Sequence, residues 1–197
     1  MSERLKLAVI IGSTREGRWG PVPSEWIAEQ AEAHGDFEVD LVDLREAGLP
    51  QYLGERDMWA TPERPSEPVA GLGERLHRAD AFVVVTPEYN HSYPAQLKHA
   101  IDYFMHEWHA KPVGLISYGA GSGGVRAVEH LRQIFPEVRA MTIRHSLAFP
   151  MYWEKLDENG EFTGFADSEP FAKAFLDELR WWARALVSAR KEAPLPA

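Results

Sequence analysis

The chain has no cysteine among its 197 residues. That excludes disulfide frameworks, thiolate zinc sites, iron–sulfur centres and cysteine nucleophiles. It is short of positive charge: 21 Lys and Arg stand against 30 Asp and Glu, a formal net charge of −9. A general nucleic-acid binder needs a net basic face, so no nucleic-acid partner is expected and only a local basic pocket could take an anion. Long hydrophobic runs are missing too. Leu7 to Ile11 and Ala81 to Val85 are the longest, far below the ~20 residues of a membrane span. The first residues lack the apolar stretch and small-residue cleavage site of a secretory signal. These absences lead to the expectation of a cytoplasmic protein with no membrane partner. What is there is 45% hydrophobic and 26% charged, and a chain of this length buries roughly 70% of its unfolded surface. One domain over residues 1–190 is expected, with 191–197, including Pro194-Leu195-Pro196, as a disordered tail.

Short apolar runs alternate with helical patterns, the mark of βαβ units and a parallel sheet. Leu7 to Ile11, Ala81 to Val85 and Val113 to Ile116 are unbroken apolar runs, as strands covered on both faces should be. Phe37 to Leu41 and Arg139 to Ile143 alternate, so each has one wet face and belongs at an edge. The flavodoxin-like order 2-1-3-4-5 meets both demands, whereas the Rossmann order 3-2-1-4-5-6 would bury strand 2. The fold expected is therefore α/β: a five-stranded parallel sheet with helices on both faces.

Five helices fit the spacing. The first starts near Pro23 and buries Trp26, Ile27 and Ala31. Another places Leu97, Ile101, Phe104 and Trp108 on one face behind Pro94, and a further one uses Val125, Val128, Leu131 and Phe135. The last starts near Ser168 as N-cap, with Pro170 in its first turn and Phe171, Phe175, Leu179, Trp182 and Leu186 inward. Leu44 to Pro68 reads as a long loop with Pro50, Pro62, Pro65 and Pro68, and with Tyr52, Met58 and Trp59 exposed. Such a loop is usually functional or clamped by a partner. Asp157-Glu158-Asn159-Gly160 predicts a small hairpin between Met151 and Phe165.

Ligands of an open parallel sheet sit beyond the carboxyl ends of its strands, at the switch point. Three segments should meet there. In Gly12-Ser13-Thr14-Arg15-Glu16-Gly17-Arg18-Trp19-Gly20-Pro21, glycines turn N–H groups inward and hydroxyls donate. The following helix favours an anion, and Arg15 and Arg18 add charge-assisted donors. Pro87-Glu88-Tyr89-Asn90 ends strand 3 with an aromatic and an amide, which suit a flat heterocycle. Ser117-Tyr118-Gly119-Ala120-Gly121-Ser122-Gly123-Gly124 follows strand 4. Its match to G-x-G-x-x-G is discounted, because that fingerprint belongs to the first βα turn and expects an acidic residue after the next strand, where Arg144 stands. A glycine floor that lets a flat ligand approach backbone is the better account. His106-Glu107-Trp108-His109 lacks the i, i+4 histidine spacing of a helical metal site, so no metal is expected. Trp181-Trp182 reads as half core and half interface.

Gly12-Ser13-Thr14-Arg15, Pro87-Glu88-Tyr89-Asn90 followed by Pro94 and Leu97-Lys98-His99-Ala100-Ile101-Asp102, and Gly123-Gly124-Val125-Arg126 together resemble the NAD(P)H-dependent FMN reductase family of flavodoxin-like quinone, azo-dye and chromate reductases. The resemblance runs in matching order from residue 5 to about 145. It implies that Ser13, Thr14, Arg15, Arg18, Trp19, Gly20 and Pro21 hold the FMN phosphate. Pro87, Glu88, Tyr89 and Asn90 would hold the ring and ribityl chain, and Ser117, Tyr118, Gly119 and Gly121 the pyrimidine edge. Three positions depart from the family: Arg18 and Gly20 replace a hydroxyl residue and Asn, and His99 replaces Asn in the helix motif.

The implied activity is oxidoreduction, with bound FMN passing electrons from NADPH or NADH to a quinone, free flavin, azo compound or metal oxyanion. No side chain is required as a catalytic acid or base; the chemistry is the flavin's. The competing readings are a non-enzymatic FMN electron carrier and a nucleotide-sensing regulatory protein. A homodimer or dimer of dimers is expected, from apolar surface at Tyr52, Trp59, Tyr103 and Trp108 and from the resemblance.

Overall fold

The computed structural model describes residues 3–53, 67–193 and 195. Met58, Trp59, Pro62, Pro65, Pro194 and Pro196 lie outside them. Strands β1 (Leu5–Ile11), β2 (Phe37–Asp43), β3 (Ala81–Pro87), β4 (Pro112–Gly119) and β5 (Met141–Pro150) form one sheet in the order β2-β1-β3-β4-β5. All four pairings are parallel. Helices α1 (Pro21–His34), α2 (Glu67–Arg78), α3 (Ala95–Tyr103), α4 (Val125–Ile134) and α5 (Phe165–Glu192) connect and cover it. The flavodoxin-like order expected from the sequence is the one observed.

Alternate side chains of a strand point to opposite faces, and the core divides accordingly. Ala8, Ile10, Phe82, Val84 and Leu115 pack with Leu72 and Leu76 of α2, Ile101 of α3 and Leu131 of α4. Val9, Val83, Val85 and Ile116 pack with Ile27 of α1 and Phe175 and Leu179 of α5. Every residue of β3 is buried, which is why the centre of the sheet reads as an unbroken apolar run.

Several boundaries differ from the sequence reading. β5 starts at Met141 and runs to Pro150, not over 139–143; Arg139 instead sits at φ 56° ahead of it. The last helix starts at Phe165 behind Gly164, so Ser168 is not its cap but lies in the first turn, donating its hydroxyl to the Gly164 carbonyl at 3.2 Å. Its buried face is Ala172, Phe175, Leu176, Leu179 and Ala183, while Phe171 is 66% exposed. Small alanines let this helix lie close to the sheet, and a Cβ on Gly114 would come within 2.2 Å of the Phe175 ring. At its far end the helix continues to Glu192, so residues 191 and 192 are not tail.

α3 stops at Tyr103, where Phe104 turns extended at φ −127°, ψ 138°. Trp108 therefore reaches the core from outside the helix. Its indole N–H donates to the Ile101 carbonyl at 3.2 Å, and its ring meets Phe82 and Phe135. Tyr103 and Trp108 are both buried and supply no apolar surface for a partner. Leu156 and Phe162 form an antiparallel bridge about the Asp157–Gly160 turn, as expected. Asp157 Oδ1 accepts the amides of Asn159 and Glu161.

At the opposite end of the sheet from the ligand rim, Lys111 donates from its ammonium to the Leu76 and His77 carbonyls, each at 2.8 Å. Burial, aided by the nearby Arg190 charge, pushes its pKa from 10.5 down to about 7. Between those values the unfolded chain binds more protons than the native one, so stability rises with pH across that window. Below about 7 both states are protonated and the contribution is flat. Lys111→Met removes the rise, which urea midpoints of the two proteins at either end of the window will show.

Candidate functional site

The loops after β1, β3 and β4 meet at the carboxyl rim, where β1 and β3 are neighbours but their connections leave on opposite faces. The Gly12 amide donates to the Val85 carbonyl at 2.8 Å, and the Glu88 amide to the Tyr118 carbonyl at 3.1 Å. The hydroxyls of Ser13 and Tyr89 share a hydrogen bond of 2.8 Å. The three segments picked out by sequence are thus stitched to one another.

The first loop is built to present donors. Among the described residues, the amides of Thr14, Glu16 and Gly17 donate to no other protein group, and the Arg15 side chain is exposed without an ion pair. The helix behind it offers few N–H groups. Pro21 and Pro23 have none, Val22 donates to the Trp19 carbonyl at 3.0 Å, and Ser24 to that of Gly20 at 3.2 Å. α1 therefore contributes its dipole, and the loop supplies the hydrogen bonds.

Arg18 does something other than face an anion. Its side chain is 10% exposed, it donates to the Ser13 carbonyl at 3.0 Å, and it pairs with Asp43 at the end of β2. Sequence reasoning took it for a direct donor; the structure makes it a brace beneath the loop, and Asp43 is the partner that reasoning missed.

Trp19 stacks on Tyr152 at 4.1 Å and meets the edge of Tyr118 at 5.3 Å. The Trp19 indole N–H and the Tyr118 hydroxyl are buried with no hydrogen-bond partner among the described residues. Burial and the neighbouring Tyr89 phenol raise the Tyr118 pKa well above its ordinary value, so it stays a protonated donor. Gly20 passes so close that a Cβ there would lie 2.9 Å from the Tyr118 oxygen.

Pro87 ends β3 in register with Tyr118. Tyr89 and Ser92 then exchange backbone hydrogen bonds of 2.7 and 3.0 Å around Asn90 and His91, which hold φ of 49° and 72°. Two left-handed non-glycine residues make this a tight hairpin of the I′ kind, with Asn90 exposed at its tip. Glu88 points elsewhere: it accepts from Arg126 at 2.7 Å and from Ser122 at 3.1 Å. Burial pushes its carboxyl up, but Arg126 and Ser122 outweigh this and hold it below the usual range.

In the third loop Ser117 is buried and donates to the Gly123 carbonyl at 2.8 Å, so its hydroxyl is structural. Gly119 accepts the Met151 amide at 2.9 Å. Gly121 stands exposed with open space around it, and the amides of Ala120 and Gly121 donate to no other protein group among the described residues.

A model of the family described as NADPH-dependent FMN reductase matches residues 5–154. The chain belongs to the NADPH-dependent FMN reductase family. It is accordingly an NAD(P)H-dependent oxidoreductase that works with FMN. Among similar proteins, an NAD(P)H-dependent FMN reductase of Schizosaccharomyces pombe is 32% identical over 158 residues, 74% of each chain. A quinone reductase of Escherichia coli K12 is 34% identical over 148 residues, 73% of this chain and 76% of that one. Among solved structures, FerB, a flavoenzyme NAD(P)H:acceptor oxidoreductase from Paracoccus denitrificans, superposes with a TM-score of 0.71 at 26% identity. That match covers 90% of this chain and 98% of FerB. The rim suits the cofactor of this reductase family: among the described residues it offers amides and an arginine with no protein partner for a phosphate, buried donors without acceptors, and a glycine floor with room for a flat ring.

Proposed function

We propose that this FMN reductase holds its cofactor across the three loops and delivers electrons from NAD(P)H to small acceptors, quinones foremost. The observation that carries the placement is the set of donors after β1 with no partner among the described residues, namely the Thr14, Glu16 and Gly17 amides and the Arg15 guanidinium. The names borne by the E. coli and P. denitrificans relatives support the acceptor class. FMN supplies acceptance of hydride and its onward transfer; the protein supplies binding and electrostatics. Arg15 and the loop amides bind the phosphate. Ser13 and Arg18 fix the loop, the first through Tyr89 and the second through Asp43. The hairpin at Tyr89 and Asn90 positions the ring, and the Ala120 and Gly121 amides stand ready to stabilise negative charge at its pyrimidine edge.

Arg15→Ala should weaken FMN binding by about 1.5–3 kcal/mol, roughly ten- to a hundredfold, the range of a charge-assisted hydrogen bond. Quenching of flavin fluorescence during titration of apoprotein measures it, and unchanged affinity refutes the placement. An electron carrier is separated by a second observation: the reductase purified yellow and held under nitrogen must bleach with NADPH.

A further inference from the structure

Beside the first loop lies a cleft of about 370 Å³, the size of a small-ligand site. Its walls are Thr14, the start of the β2–α2 connection and the first turn of α3. The walls are fixed. His99, the residue that departs from the family's helix motif, hydrogen-bonds the Pro50 carbonyl at 2.7 Å, and Tyr103 donates to that of Tyr52 at 2.8 Å.

Charge marks what the cleft would take. Among the described residues no Asp or Glu lines it, although the chain carries a formal charge of −9. Arg45 lines it, exposed and without an ion pair among the described residues. Ala95 and Gln96 line it as the opening residues of α3, where no side chain caps the helix; only the next two amides, of Leu97 and Lys98, turn back to Pro94. Leu44, Leu49 and Pro50 add an apolar wall for a flat base.

The end of β2 makes the same point. There the acid, Asp43, is taken by Arg18, and Arg45, two residues on, has no ion pair among the described residues. We propose that this cleft seats the adenosine end of the nicotinamide nucleotide and that Arg45 reads its 2′-phosphate, setting a preference for NADPH over NADH. The inference rests on the reductase reading of the rim.

The binding arm uses 2′,5′-ADP and 5′-AMP, titrated by calorimetry into the wild-type chain and into Arg45→Ala. Arg45 is exposed, so the variant keeps its fold and its FMN. The wild type should bind 2′,5′-ADP the more tightly, and the variant should lose that advantage by about ten- to a hundredfold with 5′-AMP unaffected. In turnover, KM for NADPH should rise by the same factor, with kcat and the NADH constants held. Equal binding of the two nucleotides by the wild type, or an unchanged 2′,5′-ADP affinity in the variant, overturns the proposal. Failure of the flavin placement would show separately, as Arg15→Ala retaining FMN, because the calorimetric arm needs no flavin.

Discussion

Gly124→Ala lowers stability by about 2–5 kcal/mol and weakens FMN binding with it. Gly124 ends the glycine-rich loop at φ 89°, a left-handed conformation that costs an L-residue roughly 1–2 kcal/mol. The added Cβ would also lie 2.8 Å from Ser117 Cβ and 2.9 Å from the Tyr118 carbonyl oxygen. Both belong to the central strand β4, which cannot yield, and overpacking of that kind adds about 1–3 kcal/mol. The strain lands beside the Ala120 and Gly121 amides, so cofactor affinity falls together with the unfolding midpoint. Gly121→Ala is the control. Nothing lies within 4 Å of its Cβ position, so its stability should stay within about 0.5 kcal/mol of wild type. Urea unfolding and flavin titration of both variants decide the matter; equal midpoints would show that the loop can shift.

Trp108→Ala is the second large effect, a loss of about 3–5 kcal/mol. The side chain is 1% exposed, wedged against Phe82 at 4.7 Å and Phe135 at 5.6 Å. It also donates to the Ile101 carbonyl in the last turn of α3, so truncation opens a cavity and withdraws a cap. Trp181, 61% exposed on α5, should tolerate alanine within about 0.5 kcal/mol. Calorimetric unfolding of the pair tests both, and a Trp108→Ala protein as stable as Trp181→Ala would contradict the packing described.

The sheet order was legible because burial on two faces leaves an unbroken apolar signature. The run from Ala81 to Val85 is uniformly buried, and Phe37 to Leu41 sits at an edge. Helix phase was less legible where small residues do the packing. In α5 the sheet-facing side is marked by Ala172 and Ala183 as much as by Phe175, and a reading keyed to large apolar residues turned the helix toward Phe171. Trp108 kept helical spacing after α3 had ended, because spacing reports burial and not backbone.

At the site, the residue types were readable but their directions were not. Arg15 and Arg18 are equivalent cations in the sequence; only the position of Asp43 separates the exposed arginine from the brace. Glu88 sits within a family motif and Ser117 opens the glycine-rich loop, yet their side chains hold the rim together through Arg126 and Gly123. The Arg18–Asp43 and Glu88–Arg126 pairings join residues 25 and 38 positions apart, and periodicity carries no trace of them.

The two prolines that open α1 have a consequence for how tightness can be adjusted. With the helix end stripped of two of its N–H groups, the proposed grip on an anion falls to residues 14–17, which bear no part of the sheet or its covering layers. Under that placement, exchanging the Arg15 side chain would retune retention of the prosthetic group while the scaffold keeps its shape, so holding and folding can be altered independently.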